Sequence, residues 1–195
     1  MEPIQNSRES NAIPKSGRIG RMAEQIRLKA GERILFEVMR DVNLIEAPSN
    51  YPKKAAWLRE AVQKLERLSS ELTAREIMQE CGRACFGPNN SAAVKRIKQA
   101  SISLEEFIDK LNGKRLGGGR LKVIDANTIA GGYDRCYCGQ VKQTKEPFPT
   151  LTYCHCSTGW YRQLFEAALE RPVNIQILQS IITGSDRCEF LIHLE

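Results

Sequence analysis

The sequence predicts an α+β fold in which a helical N-terminal half packs on an antiparallel sheet with one crossing helix. Two observations predict it. Apolar residues recur at helical spacing through residues 22–113, and short β-prone segments bounded by Gly and Pro follow from residue 120 onward. A chain of 195 residues is long enough to bury one substantial core. We therefore predict a flexible basic arm over 1–20 and a single domain over 21–195, with a helical half (21–113) and a β-rich half (120–195).

The helical half is predicted from apolar stripes and capping signals. Its predicted helices are residues 22–43 with a weak point at Gly31, residues 53–72, a helix opened by Thr73, a short helix capped by Ser91 and a helix opened by Ser103. Thr73-x-x-Glu76 and Ser103-x-x-Glu106 have the form of capping boxes, in which the two side chains satisfy backbone N–H groups at a helix start. Gly87-Pro88 is predicted to close the third helix.

The β-rich half is predicted to hold the sheet. The predicted elements are strands over 121–126, 134–142, 173–182 and 187–194, a turn at Gly131-Gly132, a β-prone segment over 150–155 and an amphipathic crossing helix over 157–170. Gly117-Gly118-Gly119 lacks the preceding strand and following helix of a phosphate loop, so we interpret it as a linker.

Composition excludes some partners and favours a compartment. No run of eighteen apolar residues occurs, so no membrane span is predicted. The net charge of +6 comes from scattered basic residues without interleaved aromatics, so no specific nucleic-acid partner is predicted. The N-terminal sequence has no apolar signal segment, which favours a cytoplasmic, thiol-reducing setting. In such a setting the 7 cysteines favour metal or redox use over a disulfide framework.

Two Cys-x-Cys pairs carry the main functional prediction. Cys136 and Cys138 precede a Pro-containing loop, and Cys154 and Cys156 follow it. In strands, residues two apart share a face at a separation of about 6.6 Å, which is too long for an easy disulfide but suits two thiolates on one ion. If the two segments pair, four sulfurs can form a tetrahedral site. Zinc is the expected metal and an iron–sulfur cluster the alternative, while buried inert thiols or redox thiols stay open.

Cys81 and Cys85 form a third group of thiols. They lie four residues apart, so on the predicted third helix they share one face, and Gly82 beside them permits close approach of another element. Helix packing explains this arrangement, particularly for Cys81. The alternative is that the same face covers the thiols of the sheet and adds a ligand or a second redox pair.

Cys156 is the candidate catalytic residue. It immediately precedes the predicted crossing helix, where exposed N–H groups and the helix dipole are expected to lower the pKa of a thiol. A thiolate there can act as a metal ligand or as a nucleophile. His155 is expected to point to the opposite face, so it is a poor partner for Cys156, and the position of His193 cannot be predicted.

The C-terminal segment resembles a known family. The segments that carry the resemblance are Cys154-His-Cys156-Ser-Thr-Gly-Trp160, Phe165-Glu-Ala-Ala-Leu-Glu-Arg-Pro172-Val173 and Thr183-Gly184-Ser-Asp-Arg-Cys188-Glu-Phe190-Leu-Ile192. They are similar to the 4-vinyl-reductase-type ligand-binding domain over residues 120–195. With its Cys-Gly-Arg-x-Cys helix, the chain looks still more like a cysteine-rich prokaryotic group described by similarity to L-2-amino-thiazoline-4-carboxylate hydrolase.

That resemblance implies a pocket between helices and sheet for an apolar small molecule, and domains that often dimerise, which leaves a homodimer open here. Some members bind zinc beside the pocket; Cys188 matches their terminal ligand, and Cys154 or Cys156 their first. Ile177 and Ser180 stand where those members have Glu and Cys, so their site is not present intact.

The leading hypothesis is a cytosolic domain that binds a metal through Cys136, Cys138, Cys154, Cys156 and Cys188, beside a pocket for a small ligand, as a sensor or carrier. The alternatives are a cysteine-dependent hydrolase of a thiazoline-like compound and a thiol-redox or iron–sulfur protein. Whether the chain is an enzyme is left open by the sequence.

Overall fold

The computed structural model describes residues 13–45 and 51–195. Its helices are α1 (Gly17–Ala30), α2 (Glu32–Val38), α3 (Tyr51–Leu68), α4 (Glu71–Gln99), α5 (Leu104–Gly113) and α6 (His155–Leu169). Its strands are β1 (Lys122–Asp125), β2 (Thr128–Tyr133), β3 (Val173–Gln179) and β4 (Cys188–Leu194). Helices therefore fill the N-terminal half and strands follow, as an α+β fold requires. The predicted fold class is confirmed.

The four strands form one antiparallel sheet in the order β1-β2-β4-β3. The central strand β4 alternates buried and half-buried residues along its length, as expected for a strand with one face on the core. β3 and β4 pair across the turn that contains Gly184, so the closing pair predicted from the sequence is confirmed. α6 connects the loop after β2 to β3 and packs between the sheet and α4.

The strand predicted over 134–142 is absent, and the predicted turn at Gly131-Gly132 lies inside β2. A Cβ on Gly132 would lie 2.1 Å from the carbonyl oxygen of Cys188, so glycine is needed there for close approach of β4. The β1–β2 turn instead follows Asp125, whose Oδ1 accepts a hydrogen bond from the N–H of Asn127 at 2.8 Å. Residues 134–142 are turns and irregular loop.

The predicted helix boundaries change in three places. Gly31, with a φ of 86°, separates α1 from α2, so the first predicted helix is two helices. α4 is capped by Ser70 rather than Thr73, because the Ser70 side chain accepts a hydrogen bond from the N–H of Thr73 at 3.0 Å. Gly87, with a φ of 74°, interrupts α4 with non-helical backbone, as predicted for the end of the third helix, and the second limb of α4 begins before Ser91.

The predicted helix start at Ser103 and the predicted arm over 1–20 can both be compared with the structure. Ser103 is confirmed as an N-cap, since its hydroxyl accepts a hydrogen bond from the N–H of Glu106 at 3.1 Å, but the Glu106 carboxylate accepts from the N–H of Ile102 rather than from that of Ser103. The predicted arm over 1–20 overlaps α1, which begins at Gly17, and Ile13 is buried. Residues 1–12 of that arm lie outside the described residues, as does the 46–50 segment before α3.

The closest helix packing joins α4 to α6 through two glycines. A Cβ on Gly82 would lie 1.9 Å from the carbonyl oxygen of Cys156, and a Cβ on Gly159 would lie 1.8 Å from that of Gln79. Only glycine tolerates such contacts, so this crossing depends on both residues. Around it the buried side chains form two clusters. One lies among the N-terminal helices and the cysteine loop, which is the loop over residues 134–151 that contains Cys136 and Cys138; the other lies between the sheet, α5 and α6. No helix within 13–45 and 51–195 has the length and apolarity to span a membrane.

Candidate functional site

A cavity of about 310 Å³ lies between the N-terminal helices, the cysteine loop and the end of the sheet. Six cysteines line it: Cys85, Cys136, Cys138, Cys154, Cys156 and Cys188. Four aromatic residues line it as well: Tyr133, Tyr137, Tyr153 and Trp160. All seven cysteines of the chain are free thiols. The cavity therefore gathers the thiols that the sequence singled out, together with aromatic rings.

An arginine cluster, formed by Arg18, Cys85 and Cys156, occupies the helical side of the cavity. The Nη1 of Arg18 donates a hydrogen bond to Cys156 Sγ at 2.8 Å, and its Nη2 donates one to Cys85 Sγ at 3.4 Å. Arg18 is half-buried in the first turn of α1, where Met22 and Ile26 bury the helix against the core. Sequence reasoning missed Arg18 because it lies within the predicted arm.

Cys156 lies in the first turn of α6, but its predicted low pKa is wrong. Burial raises the pKa of Cys156 to about 11, although the Arg18 guanidinium opposes that rise. The thiol is 7% exposed, so the charged thiolate loses nearly all its hydration, and this loss outweighs the helix dipole and the arginine. At neutral pH the group is a protonated thiol.

A serine cluster, formed by Cys154, Ser180 and Cys188, occupies the sheet side of the cavity. The hydroxyl of Ser180 lies 2.8 Å from Cys154 Sγ and 3.8 Å from Cys188 Sγ. All three residues are buried. Burial raises the pKa of Cys154 well above its ordinary value, and the hydrogen bond with Ser180 only partly offsets this. Cys154 therefore remains a protonated thiol at neutral pH.

The two Cys-x-Cys pairs do not lie on paired strands. Thr152–Cys154 is a 3-10 turn that runs into α6, and Cys136 and Cys138 lie in the loop after β2. Successive helical residues are rotated by about 100°, so Cys154 and Cys156 point to different sides and join different clusters. Cys138 Sγ lies 3.2 Å from the hydroxyl of Tyr153, and burial raises the pKa of Cys136 to about 11.

The described side chains do not form a metal centre. No group of three or more His, Cys, Asp or Glu residues in the described part of the chain is placed to hold a metal ion. The five cysteines predicted as ligands line one cavity but belong to separate contacts, for the helical reason given above. Cys81 does not line the cavity; it is 1% exposed, and burial raises its pKa to about 12.

The glycine-rich segment connects α5 to β1, in keeping with its interpretation as a linker, and it also forms a wall of the cavity. Gly117 and Gly118 have φ angles of 79° and 89° and line the cavity beside Arg115 and Leu116. The carbonyl oxygen of Gly117 accepts a hydrogen bond from the hydroxyl of Tyr161 at 2.9 Å. The signal for this role was present in the three consecutive glycines, since left-handed backbone and close approach both favour glycine.

Neither histidine faces the cavity lining. Burial, together with the smaller effect of the Arg75 charge, lowers the pKa of His155 to about 4. His193 lies on β4, paired in register with Thr128 and Asn174. The Cys156 thiol therefore has Arg18 rather than a histidine beside it.

The described ionic side chains that line the cavity are all positively charged. Arg18 lines its interior and the exposed Arg115 its rim, whereas no described Asp or Glu lines it. Arginine is effectively always protonated in proteins. Because the buried thiols of Cys154 and Cys156 stay neutral, the charge on Arg18 has no anionic partner in the lining.

Comparison with solved structures finds distant likeness. One is the NMR structure of a mutant H-NOX domain from Shewanella oneidensis in the Fe(II)CO ligation state, with 14% identity and a TM-score of 0.48. Another is the crystal structure of an H-NOX protein from the same organism in the Fe(II)NO ligation state, with 12% identity and a TM-score of 0.48. Each alignment covers 91% of this chain and 97% of the other. TM-scores at this level carry no argument about function.

No curated protein matches the chain. A family model does match, and its match runs from α1 through the last strand. Residues 19–195 match the model described as "Family of unknown function (DUF6144)", and the chain therefore belongs to that family.

Proposed function

We propose that this chain is a small-molecule-binding domain, a sensor or a carrier, with the thiol-lined cavity as its binding site. The cavity itself is the observation that carries the proposal. Ligand sites are concave, mostly apolar and about 300–1,000 Å³ in volume, with a few convergent polar groups. A volume of about 310 Å³ lies at the small end of that range. The aromatic rings supply apolar surface, and Arg18 and Ser180 supply the polar groups.

A zinc or iron–sulfur centre has less support in this cavity. Structural zinc takes four ligands in a tetrahedron, and clusters of iron and sulfur are held by cysteine thiolates. The serine cluster offers two thiols and one hydroxyl, while the other thiols contact Arg18 or Tyr153. Metal binding would require several side chains to turn away from their present partners. We therefore favour an organic ligand.

Hydrolysis by Cys156 is the second alternative from the sequence. It requires a thiolate and a group that accepts or returns a proton. Burial keeps Cys156 protonated near neutral pH, and neither histidine lines the cavity. Binding without covalent chemistry needs neither condition, so it is the better supported function.

Thermal unfolding of the reduced protein against a collection of small organic compounds tests this proposal. We expect some compounds to raise the melting temperature, because a ligand that binds only the folded state stabilises it. Ser157 lines the cavity from α6, so Ser157→Phe should fill it and abolish these shifts. Gln163→Phe, also on α6 but away from the cavity lining, is the matched control and should keep them.

Two results would contradict the proposal. Shifts that survive Ser157→Phe would place the binding elsewhere on the chain. Stoichiometric zinc or iron in protein purified under reducing conditions, lost when Cys154 is replaced with Ser, would favour the metal centre instead.

A further inference from the structure

We propose that the ligand of this cavity is a small organic acid whose carboxylate pairs with Arg18. This inference rests on the proposed binding function and specifies its chemistry. It follows from the partners of Arg18, the charge of the lining and the shape of the cavity.

The partners of Arg18 are weak ones. A guanidinium has five N–H donors in a rigid fork, and a neutral thiol is a weak acceptor. The described contacts of Arg18 are with the sulfurs of Cys156 and Cys85, and no described carboxylate lies within ion-pair distance of it. A half-buried cation with such partners keeps much of the free-energy cost of its desolvation. A carboxylate would offset that cost by accepting two parallel N–H···O bonds.

The charged residues that line the cavity determine which ligand charge it favours. It contains two arginines, and no Asp or Glu of the described chain reaches it. Burial keeps the Cys156 thiol beside Arg18 protonated near neutral pH, so this thiol neither neutralises Arg18 nor repels an anion. A neutral molecule of the same shape would leave Arg18 with only its sulfur contacts. The cavity therefore favours an anion over its neutral isostere.

The remaining walls favour an organic acid over an inorganic anion. Trp160 and three tyrosines line the cavity, and their rings offer apolar surface that a free phosphate or sulfate ion would leave uncovered. A molecule with one or two rings fills about 310 Å³ while keeping its carboxylate at Arg18. Arg115 at the exposed rim is placed to attract such an anion but not to enclose it.

The test compares acids with their amides. Calorimetric titrations would use benzoate, cinnamate and 1-naphthoate against benzamide, cinnamamide and 1-naphthamide, with inorganic phosphate as a further arm. We expect at least one acid to bind about ten- to a hundredfold more tightly than its amide, as hydrogen bonds to a charged group predict. Arg18→Gln should remove that preference. Arg115→Gln, at the rim, should weaken acid binding by less and keep the preference.

The rate of cysteine alkylation gives a second measure of binding, and it can be followed on the protein without any substitution. A bound acid should slow alkylation of Cys156 and Cys85, whereas its amide should not. Arg18→Gln should lose this protection, and circular dichroism would show that the variant folds.

The outcomes separate the two proposals. Amides that bind as well as acids would overturn the carboxylate inference and leave the binding function standing. Phosphate that binds and protects as well as the acids would overturn the organic part of it. If no acid or amide binds and the compound collection also gives no shift, both proposals fail together.

Discussion

The arginine cluster and the serine cluster use the same residue type for different purposes. Each holds two cysteines on a third polar group, a guanidinium in one and a hydroxyl in the other. Burial raises the pKa of Cys154 and of Cys156 alike. Only Cys156 lies beside a fixed positive charge. The cavity therefore has one wall with a fixed positive charge and one without, and a ligand with one charged end would have a preferred orientation in it.

The comparison also shows what positions each cluster. Two members of the serine cluster are held by the sheet, since Ser180 follows β3 and Cys188 begins β4, while Cys154 lies at the start of α6. The arginine cluster is held by three helices, because Arg18 belongs to α1, Cys85 to α4 and Cys156 to α6. The arginine cluster depends on close helix packing, and the serine cluster depends mainly on strand pairing. Variants that disturb strand pairing should therefore leave the arginine cluster in place.

The largest loss of stability is expected from Gly82→Val, which separates the two helices that carry Cys85 and Cys156. A Cβ there would meet the Cys156 carbonyl oxygen at 1.9 Å, so α4 and α6 must separate. We expect a loss of about 3 kcal/mol or more in the free energy of unfolding, measured by urea denaturation. Gly113→Ala is the control, because a Cβ at Gly113 meets nothing within 4 Å. Equal stability of Gly82→Val and the unsubstituted protein would contradict this packing.

An intermediate loss of stability is expected at alkaline pH. The folded pKa of Cys156, about 11, lies above the value of 9.0 for an ordinary thiol, so the unfolded chain releases this proton first. Stability from this thiol is fully present below pH 9 and is lost as the pH rises towards 11. The loss should be about 2 kcal/mol for Cys156 in denaturation curves at pH 8 and pH 11. Cys156→Ala should lose less over the same range, and an identical loss would show that Cys156 does not contribute.

The smallest loss of stability is expected from Ser180→Ala, which removes the polar group of the serine cluster. The hydroxyl of Ser180 is the shared partner of two buried thiols, so its removal leaves them without that contact. We expect a loss of about 1 kcal/mol in the free energy of unfolding, since no charge is involved. Acid binding to Arg18 should persist in this variant. A loss of binding as severe as that of Arg18→Gln would mean that the two walls do not act separately.

Apolar spacing and capping residues were sufficient to predict the fold class and most helices. Ser103 predicts its own cap because the signal is local, and the β3–β4 pair follows from alternating apolar residues around Gly184. The strand predicted over 134–142 was wrong because β-prone composition does not distinguish a strand from an irregular loop. Gly131 and Gly132 were misread for a related reason, since close approach of β4 is a tertiary requirement.

The site was predicted only in part. The sequence indicated that the thiols matter, and the structure gathers six of them around one cavity. Their grouping could not be predicted, because Cys154 and Cys156 share a face in a strand but not in the helix that begins at His155. Arg18 carried no local signal either. A single arginine in a basic segment acquires its role only when α1 brings it to Cys156, 138 positions further along the chain.

The walls of the cavity come from segments that span the chain from Arg18 to Cys188. No fragment of the sequence could present this surface alone. A molecule bound there touches α1, α4, α6 and the sheet at once, and it leaves when any of them detaches. If the proposed ligand binds there, its occupancy is linked to global unfolding, and each tenfold rise in ligand concentration above the dissociation constant adds about 1.4 kcal/mol to the stability of the whole chain.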